Sequence, residues 1–359
     1  MSKIYQYKIV IKFSDENPVL AGRPDMPVLS SKHTSLTDTY SFRMKNAIRI
    51  EARRKYSLLD KASEIYGNGN SIHIQIMKAI SLYCLTSGKC VKIKSIVMSR
   101  KSPKARTYYY YKETKNFKQP FPERNHAIVA LPLDVVKGKM GHEEKDYAYR
   151  IAMSYFLREQ YSLHPYHKFE CLWRAYNCLF RHLTGKKNDN AGIRGMIDHV
   201  LLHQNKYVQT LACASRVNLN DKMFKFKSFL EDKTEHLKSR NNIKQWFGNF
   251  TKSNILDVIR NNESKIDAKV DVVNTTDATI IKSDLHTYLT TTSEDTTKVD
   301  AEMFIFMLWY AYYLRNMYFH AGIKEASFTL YSEYNDKHLM CVKEIMETFL
   351  QDIFKDDTF

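Results

Sequence analysis

The chain has 359 residues and a mass of 42.2 kDa, a length that predicts two domains or one large domain with insertions. Hydrophobic residues make up 44% of it and only 11 glycines and 8 prolines occur, which excludes a disordered or collagen-like chain. Lys and Arg total 55 against 39 Asp and Glu, and the net charge of +16 favours a polyanionic partner, either nucleic acid or an acidic membrane surface. A basic globular protein without such a partner has the same composition.

The N-terminal sequence MSKIYQYKIVIKF contains no apolar signal segment, and the chain has no window of about 18 uncharged apolar residues. The six cysteines are scattered without a C-x-x-C motif, and several lie in apolar runs. These features predict a cytoplasmic protein with reduced thiols, no disulfide framework and no membrane association.

The first part of the chain has the mixed periodicity of an α/β domain. Alternating apolar and polar residues predict a strand at 5–13, and β-branched and aromatic residues predict strands at 91–99 and 107–113. A basic amphipathic pattern predicts a helix at 45–67. The segment 119–141, which holds three of the eight prolines, predicts the end of this domain.

A basic stretch in this domain leads directly into a run of tyrosines. Lys101, Lys104 and Arg106 precede four consecutive tyrosines, which include Tyr108 and Tyr110. Cations hold phosphates while aromatic rings stack on bases, so these five residues are candidates for substrate binding. A solvated edge strand whose lysines oppose aggregation has the same pattern, and the sequence leaves this alternative open.

The pattern then changes to helical spacing, with apolar residues at i, i+3, i+4 and i+7. A Thr-, Asp- and Asn-rich segment near 261–299 predicts a polar insertion or loop. We therefore expect an α+β protein, with a basic mixed α/β domain at 1–140 followed by an all-α domain at 141–359. The predicted helices of the second domain lie at 143–161, 165–185, 190–204, 220–233, 300–322 and 332–354.

The predicted helix at 300–322 is apolar on all sides from residue 303 to residue 310, which indicates a buried central helix. Asp300 is suited to cap its N-terminus and Gly322 to end it in a left-handed turn.

Three polar residues, Arg315, Asn316 and His320, interrupt the last turns of this apolar helix. Buried polar groups must be paired or functional. Asn316 and His320 share a face because they are four residues apart, whereas Arg315 lies about 140° away from His320 and needs its long side chain to reach the same point.

Arg-x4-His is a short motif that also occurs by chance, and Arg194 and His199 match it as well. The pair of Arg315 and His320 differs because Asn316 follows the arginine, because it lies at the end of an apolar helix, and because a second long amphipathic helix follows. This combination resembles the HEPN superfamily (higher eukaryotes and prokaryotes nucleotide-binding), whose nuclease members carry R-N-x3-H or R-x4-H on a late helix of an all-α bundle. The resemblance concerns the helical part of the chain.

The resemblance implies a metal-independent RNA endonuclease, without cofactor, acting at a homodimer interface where two motifs face each other. It also implies a toxin or antiphage defence effector. In this hypothesis the basic residues 1–140 would bind or sense RNA. His320 would exchange a proton with the ribose 2′-OH or the leaving 5′-oxygen. Arg315 would stabilise charge on the scissile phosphate, Asn316 would orient His320 or the phosphate, and the product would carry a 2′,3′-cyclic phosphate.

Glu170, Arg174 and Asn177 lie near one stripe of the helix at 165–185, and we expect one of them to support His320. His199 and His203, which follow Asp198, have the i, i+4 spacing of metal ligands but lack the H-E-x-x-H glutamate, so no metal site is predicted.

Two other functions stay open. A non-catalytic nucleic-acid-binding protein would use the net charge and keep Arg315 and His320 only to tie the helix end to a buried carboxylate. A partner-regulated HEPN protein would stay inert until a second polypeptide or a nucleic-acid activator bound it.

Overall fold

The computed structural model describes residues 4–31, 34–55, 71–104, 109–113, 126–128, 130–141, 144–160, 162, 164–217, 296–319 and 333–358. The chain divides into two compact units, Met1–Ser162 and Leu163–Phe359. The first contains an antiparallel sheet and the second is built of helices, so the chain has an α+β fold.

The first unit is organised around a six-stranded sheet in the order β2-β3-β4-β1-β6-β7, in which every neighbouring pair is antiparallel. A separate two-stranded ladder joins β5 to β8. The strands are β1 Tyr5–Phe13, β2 Met26–Ser31, β3 Thr34–Ser41, β4 Ala47–Arg54, β5 Lys89–Cys90, β6 Ile93–Lys101, β7 Tyr109–Glu113 and β8 His126–Ala127.

β1 lies between β4 and β6 and has the bounds predicted from its alternating sequence. Its apolar residues Tyr7, Ile9, Ile11 and Phe13 are buried on one face, while the residues between them point to the other face. The sequence therefore fixes which face of the sheet carries the core.

The helices of the first unit are α1 Ser71–Ser87, α2 Leu133–Gly138 and α3 Glu144–Glu159. α1 packs on the apolar face of the sheet, where the ring of Tyr83 stacks on Phe13 at 3.7 Å and the hydroxyl of Tyr40 bonds the side chain of Gln75. The sequence patterns did not predict α1, because it is buried along most of its length and lacks a clear polar face.

The prediction of a helix at 45–67 is wrong, because residues Ala47–Arg54 form β4. Ile48, Ile50 and Ala52 alternate with polar residues and pair in register with β1, which makes strand pairing more favourable than the helical propensity of Arg and Ala. Residues 56–67 of the predicted helix lie outside the described residues.

Several charged side chains are buried between the sheet and the helices of the first unit. Arg54 on β4 forms two hydrogen bonds with Asp38 on β3, at 2.6 and 2.7 Å. Lys78 on α1 is 3% exposed and donates to the backbone oxygen of Met140 at 2.9 Å. Burial, together with the charge of Arg150, lowers the pKa of Lys78 to about 7.

The second unit contains five described α-helices and a short 3₁₀ turn at Gln204–Lys206. The helices are α4 Pro165–Thr184, α5 Asp189–Leu202, α6 Val208–Ser215, α7 Thr296–Phe319 and α8 Glu333–Lys355. Four of them match predicted helices, whereas the segment 220–233 and most of 261–299 lie outside the described residues.

α4 begins and ends as its sequence indicates. The ring of His164 accepts a hydrogen bond from the backbone N–H of Tyr166 at 3.2 Å, Pro165 occupies the first turn, and Gly185 follows the helix with φ of 64°.

The prediction that Asp300 caps α7 is wrong, because the helix begins one turn earlier, at Thr296. Gly322 lies outside the described residues.

None of the six cysteines forms a disulfide bond. Cys84, Cys90, Cys171 and Cys213 are buried, and Cys178 and Cys341 are partly buried. Within the described ranges, no helix combines the length and the apolar character that a membrane crossing requires.

Candidate active site in the helical unit

α7 carries the first two residues of the predicted motif at the end of its buried stretch. Residues 301–314 are all buried, as the apolar sequence predicts. The side chain of Arg315 is 17% exposed, and Asn316 is only 1% exposed. The helix therefore holds a guanidinium and an amide at the edge of the core, where their contacts are well defined.

Arg315 is fixed by contacts on two sides. Its Nη1 donates to Oδ1 of Asn316 at 2.8 Å and lies 3.6 Å from Oδ2 of Asp189. A planar guanidinium with two anchoring contacts has little freedom to rotate, which suits a group that must meet a phosphate in one orientation.

Asp189 is the first residue of α5, directly after the N-cap Asn188, whose side chain accepts from the N–H of Asn190. A carboxylate in the first turn of a helix is stabilised by the helix dipole. The other oxygen of Asp189 lies 3.3 Å from Nη2 of Arg181, at the end of α4. Asp189 thus links α4, α5 and α7 through two arginines.

Asp189 was not predicted as a site residue. It lies in the polar segment KKNDN between two helices, and an acidic residue after an N-cap asparagine ordinarily indicates only a helix start. Its role depends on a contact with a residue far away along the chain.

Aromatic contacts hold α4 against α7. The rings of Trp173 and Tyr312 are stacked at 5.9 Å, and the hydroxyl of Tyr166 donates to the backbone oxygen of Tyr318 at 3.3 Å. Tyr176, one turn from Trp173 on α4, is fully buried. Burial and the nearby charge of Asp189 raise the pKa of Tyr176 well above its usual value, so its hydroxyl stays protonated.

The three helices that Asp189 links contain several buried polar atoms without a hydrogen-bond partner. Such atoms cost stability unless water or a ligand satisfies them. They include Trp173 Nε1, Tyr176 OH, Asn177 Oδ1, Asn190 Oδ1, Arg194 Nε and Asn316 Nδ2. Their concentration on α4, α5 and α7 shows that these helices hold buried hydrogen-bonding atoms that the folded chain does not use.

The predicted supporting residues have different surroundings. Glu170 accepts from Nη2 of Arg174 at 2.6 Å and lies 3.5 Å from His167, and the side chain of Arg174 is 51% exposed. Asn177 is partly buried with its amide oxygen unpartnered. Glu170 and Arg174 thus form an ion pair with each other, whereas the amide oxygen of Asn177 can still accept a hydrogen bond.

The structure does not describe His320, the third residue of the motif, nor Arg106 and Tyr108. In the first unit, Lys101 ends β6, and Lys104 is exposed in the turn that follows. Tyr110 lies in β7 with its backbone opposite Ser99.

In the second Arg-x4-His match, Arg194 and His199, the histidine is held by contacts within the helical unit. Nε2 of His199 lies 2.7 Å from Oδ2 of Asp356, which also accepts from the hydroxyl of Tyr207 at 2.8 Å. The ring of His203 lies 4.6 Å from that of His199. Among the described residues, no cluster of three or more His, Cys, Asp or Glu side chains has the geometry of a metal site.

Comparison of the chain with protein-family models, with curated protein sequences and with solved structures found no match. The functional argument therefore depends on the contacts of Arg315, Asn316 and Asp189 and on the likeness of the motif to that of HEPN nucleases.

Proposed function

We propose that the protein is a metal-independent RNA endonuclease of HEPN type that uses Arg315, Asn316 and His320. The observation that carries the proposal is the fixed pair on α7, in which Arg315 donates to the Asn316 oxygen while Nδ2 of Asn316 is buried without a partner. An oriented guanidinium beside an amide donor is suited to bind the oxygens of a scissile phosphate.

The proposed reaction is an in-line transfer within the RNA. The ribose 2′-oxygen attacks the adjacent phosphorus, and the bond from phosphorus to the 5′-oxygen breaks. The 2′-OH proton passes to a base, and a proton is delivered to the leaving 5′-oxygen. An imidazole such as that of His320 suits both proton transfers because it titrates near neutral pH. The products are a 2′,3′-cyclic phosphate and a 5′-hydroxyl, and DNA is not a substrate because it lacks the nucleophile.

In this proposal two copies of the chain contribute one motif each, as in the family that the motif resembles. A toxin or antiphage effector that arrests growth by cutting RNA is the biological role consistent with such an activity. A strict monomer that cleaves RNA at micromolar concentration would contradict the dimeric part of the proposal.

The decisive experiment incubates the purified chain with labelled total RNA in EDTA and analyses the 3′ ends of the fragments. Cleavage by the unmodified protein that is lost in Arg315→Ala and His320→Ala, with cyclic phosphate ends, supports the proposal. Arg216→Ala and His167→Ala are matched controls, because both residues are exposed in the same unit, and we expect them to cleave normally.

A second candidate is a non-catalytic RNA-binding protein, and the 3.6 Å contact between Arg315 and Asp189 favours it. A guanidinium neutralised by a carboxylate can serve only to anchor α7 on α5. In that case the unmodified protein binds RNA without cutting it, and His320→Ala changes neither property. A partner-regulated nuclease gives the same inert protein until an activator is added, so copurification with a polypeptide or nucleic acid identifies that alternative.

A further inference from the structure

The sheet of the first unit has one face that α1 does not cover. The residues that contact α1, including Phe13, Tyr40 and Arg54, all lie on the apolar face. Because side chains alternate along a strand, the residues between them lie on the opposite face. The registers of β4, β1 and β6 define that second face, which we call the open face.

The open face is strongly basic. It carries five cationic residues and one carboxylate within the three central strands. Lys12, Arg53 and the carboxylate are exposed, and the other three cations are partly exposed. The cations are Lys8 and Lys12 on β1, Arg49 and Arg53 on β4, and Lys101 on β6, and the carboxylate is Glu51 on β4.

The carboxylate neutralises little of this charge. Glu51 lies 2.7 Å from Nη2 of Arg49, and both side chains are well exposed at 49% and 39%. Lys12 and Arg53 form no ion pair with any other part of the chain that the structure describes. Two of the five cations therefore have no ion-pair partner among the described residues, and an exposed cationic surface attracts anions.

The cations form a compact pattern. Gln6 on β1 pairs with Arg53 on β4 and with Lys101 on β6. Lys8 is the next residue of β1 on the same face. Strands are spaced by about 5 Å, and Lys12 lies six residues along β1 from the level of Arg53 and Lys101, so the patch measures on the order of 10 by 20 Å. A patch of this length matches a few successive phosphates of one extended strand, and its width of about 10 Å is narrower than a duplex.

Within β4, β1 and β6 the open face carries no aromatic residue, and Tyr110 lies beside it on the edge strand β7, paired with Ser99. Val10 and Val97 pair at its centre, with Ser95 and Ser99 beside them on β6. A surface with cations and small side chains binds backbone phosphates, whereas a surface that recognises bases offers rings for stacking.

We propose that the open face binds single-stranded RNA through its phosphates, with little dependence on base identity. The choice of RNA over other polyanions rests on the proposed function, since a nuclease gains from a second surface that retains its substrate. Lys101, predicted as a binding residue, belongs to this face, and Tyr110 lies in the neighbouring strand opposite Ser99.

The test measures the affinity of the full chain for fluorescent oligouridylate over a range of salt concentrations, in an Arg315→Ala background so that the probe stays intact. We expect the triple variant Lys8→Gln, Lys12→Gln, Arg53→Gln to bind at least about tenfold more weakly than its parent. The slope of log affinity against log salt should fall by about 2, since each lost contact with a single strand removes about 0.7.

The matched control removes the same charge elsewhere in the first unit, as Arg43→Gln, Lys45→Gln, Lys137→Gln. All three residues are exposed and none belongs to the three central strands. Equal weakening by both triples overturns the proposal, because it shows a dependence on net charge alone. If the first triple fails to fold, Lys12→Gln and Arg53→Gln are measured singly, and each should lower the slope by about 0.7.

Two further outcomes separate this inference from the proposed function. Loss of binding in the triple, in a protein whose unmodified form cuts no RNA, supports the open face and contradicts the nuclease. Cleavage by the unmodified protein together with unchanged binding by the triple overturns the open face alone. The open-face proposal is also overturned if the protein binds phosphatidylserine vesicles but not oligouridylate and the triple variant loses the vesicle binding. That result would identify the open face as a membrane-binding surface.

Discussion

Arg315 and Asp189 lie 3.6 Å apart and join the end of the buried helix α7 to the start of α5. Each side chain is 17% exposed, so water weakens the attraction only in part. The contact gives Arg315 a fixed position whether the residue acts on RNA or only holds the two helices together.

Asp189→Asn tests this contact. The change keeps the size of the side chain but leaves Arg315 and Arg181 without their shared carboxylate. We expect the free energy of unfolding of the helical unit to fall by about 1–2 kcal/mol, because a partly buried charge loses its partner. Asp198→Asn on the same helix is the control, since Asp198 is exposed, and chemical denaturation of both variants measures the difference.

Asn316→Ala separates stability from activity. The buried amide nitrogen of Asn316 has no partner, so its removal relieves a desolvation cost while the bond from Arg315 is lost. We expect the melting temperature to change little and RNA cleavage to fall by about 100-fold, as for the loss of one donor at a transition state. A large drop in melting temperature with normal cleavage would assign Asn316 to the fold instead.

Lys78 gives the first unit a distinct pH dependence. The pKa of this lysine is lowered to about 7, chiefly by burial, so the folded state binds fewer protons than the unfolded state between pH 7 and the ordinary lysine pKa of 10.5. The destabilisation is complete below pH 7 and is relieved as the pH rises. Stability should therefore increase from pH 7 to pH 9 with a slope of at most about 1.4 kcal/mol per pH unit.

Lys78→Met removes this proton linkage, and urea denaturation at several pH values measures the effect. We expect the stability difference between Lys78→Met and the parent protein to shrink as the pH rises. Lys137→Met, which changes an exposed lysine on α2, should leave the pH profile as it is. A parent profile that is flat between pH 7 and pH 9 would contradict the assignment.

Asp356 gives the helical unit a pH dependence in the acid range. Burial alone raises the pKa of a carboxyl, but hydrogen bonds from Thr358, His199 and Tyr207 outweigh it and hold the pKa of Asp356 well below its usual range. The stabilisation is present above the unfolded-state pKa near 4 and is lost as the pH falls below it.

Asp356→Asn should accordingly cost about 2–4 kcal/mol of unfolding free energy at neutral pH, with a deficit that shrinks as the pH falls below about 4. Asp357→Asn is the neighbouring control, because the side chain of Asp357 is 87% exposed, and its effect on the unfolding free energy should be much smaller. Urea denaturation from pH 7 downward gives both values, and a deficit that persists in acid would point to lost packing rather than lost charge.

The sequence predicted the elements whose periodicity was clear. β1 has the predicted bounds, and the helices α4 and α8 lie within a residue of the predicted ranges. It failed where burial on several sides removes the periodicity, as in α1, and where residues with helical propensity pair as a strand, as in β4.

The candidate site could be predicted only in part for a similar reason. Arg315 and Asn316 stand out because polar residues interrupt an apolar helix, which is a local signal. Asp189 carries no such signal, because an aspartate at a helix start is common and its contact with Arg315 is established only by the packing of α5 against α7. The open face likewise required the strand register, which brings Arg53 and Lys101 to either side of Gln6.

The distribution of thiols bears on how the two units can be observed separately. Both cysteines of the first unit, Cys84 and Cys90, are buried, and burial raises the pKa of Cys84 to about 12. The partly exposed thiols, Cys178 on α4 and Cys341 on α8, both belong to the helical unit. A maleimide dye applied to the native protein should therefore label the helical unit alone, and a fluorescent reporter could follow its opening without any engineered cysteine.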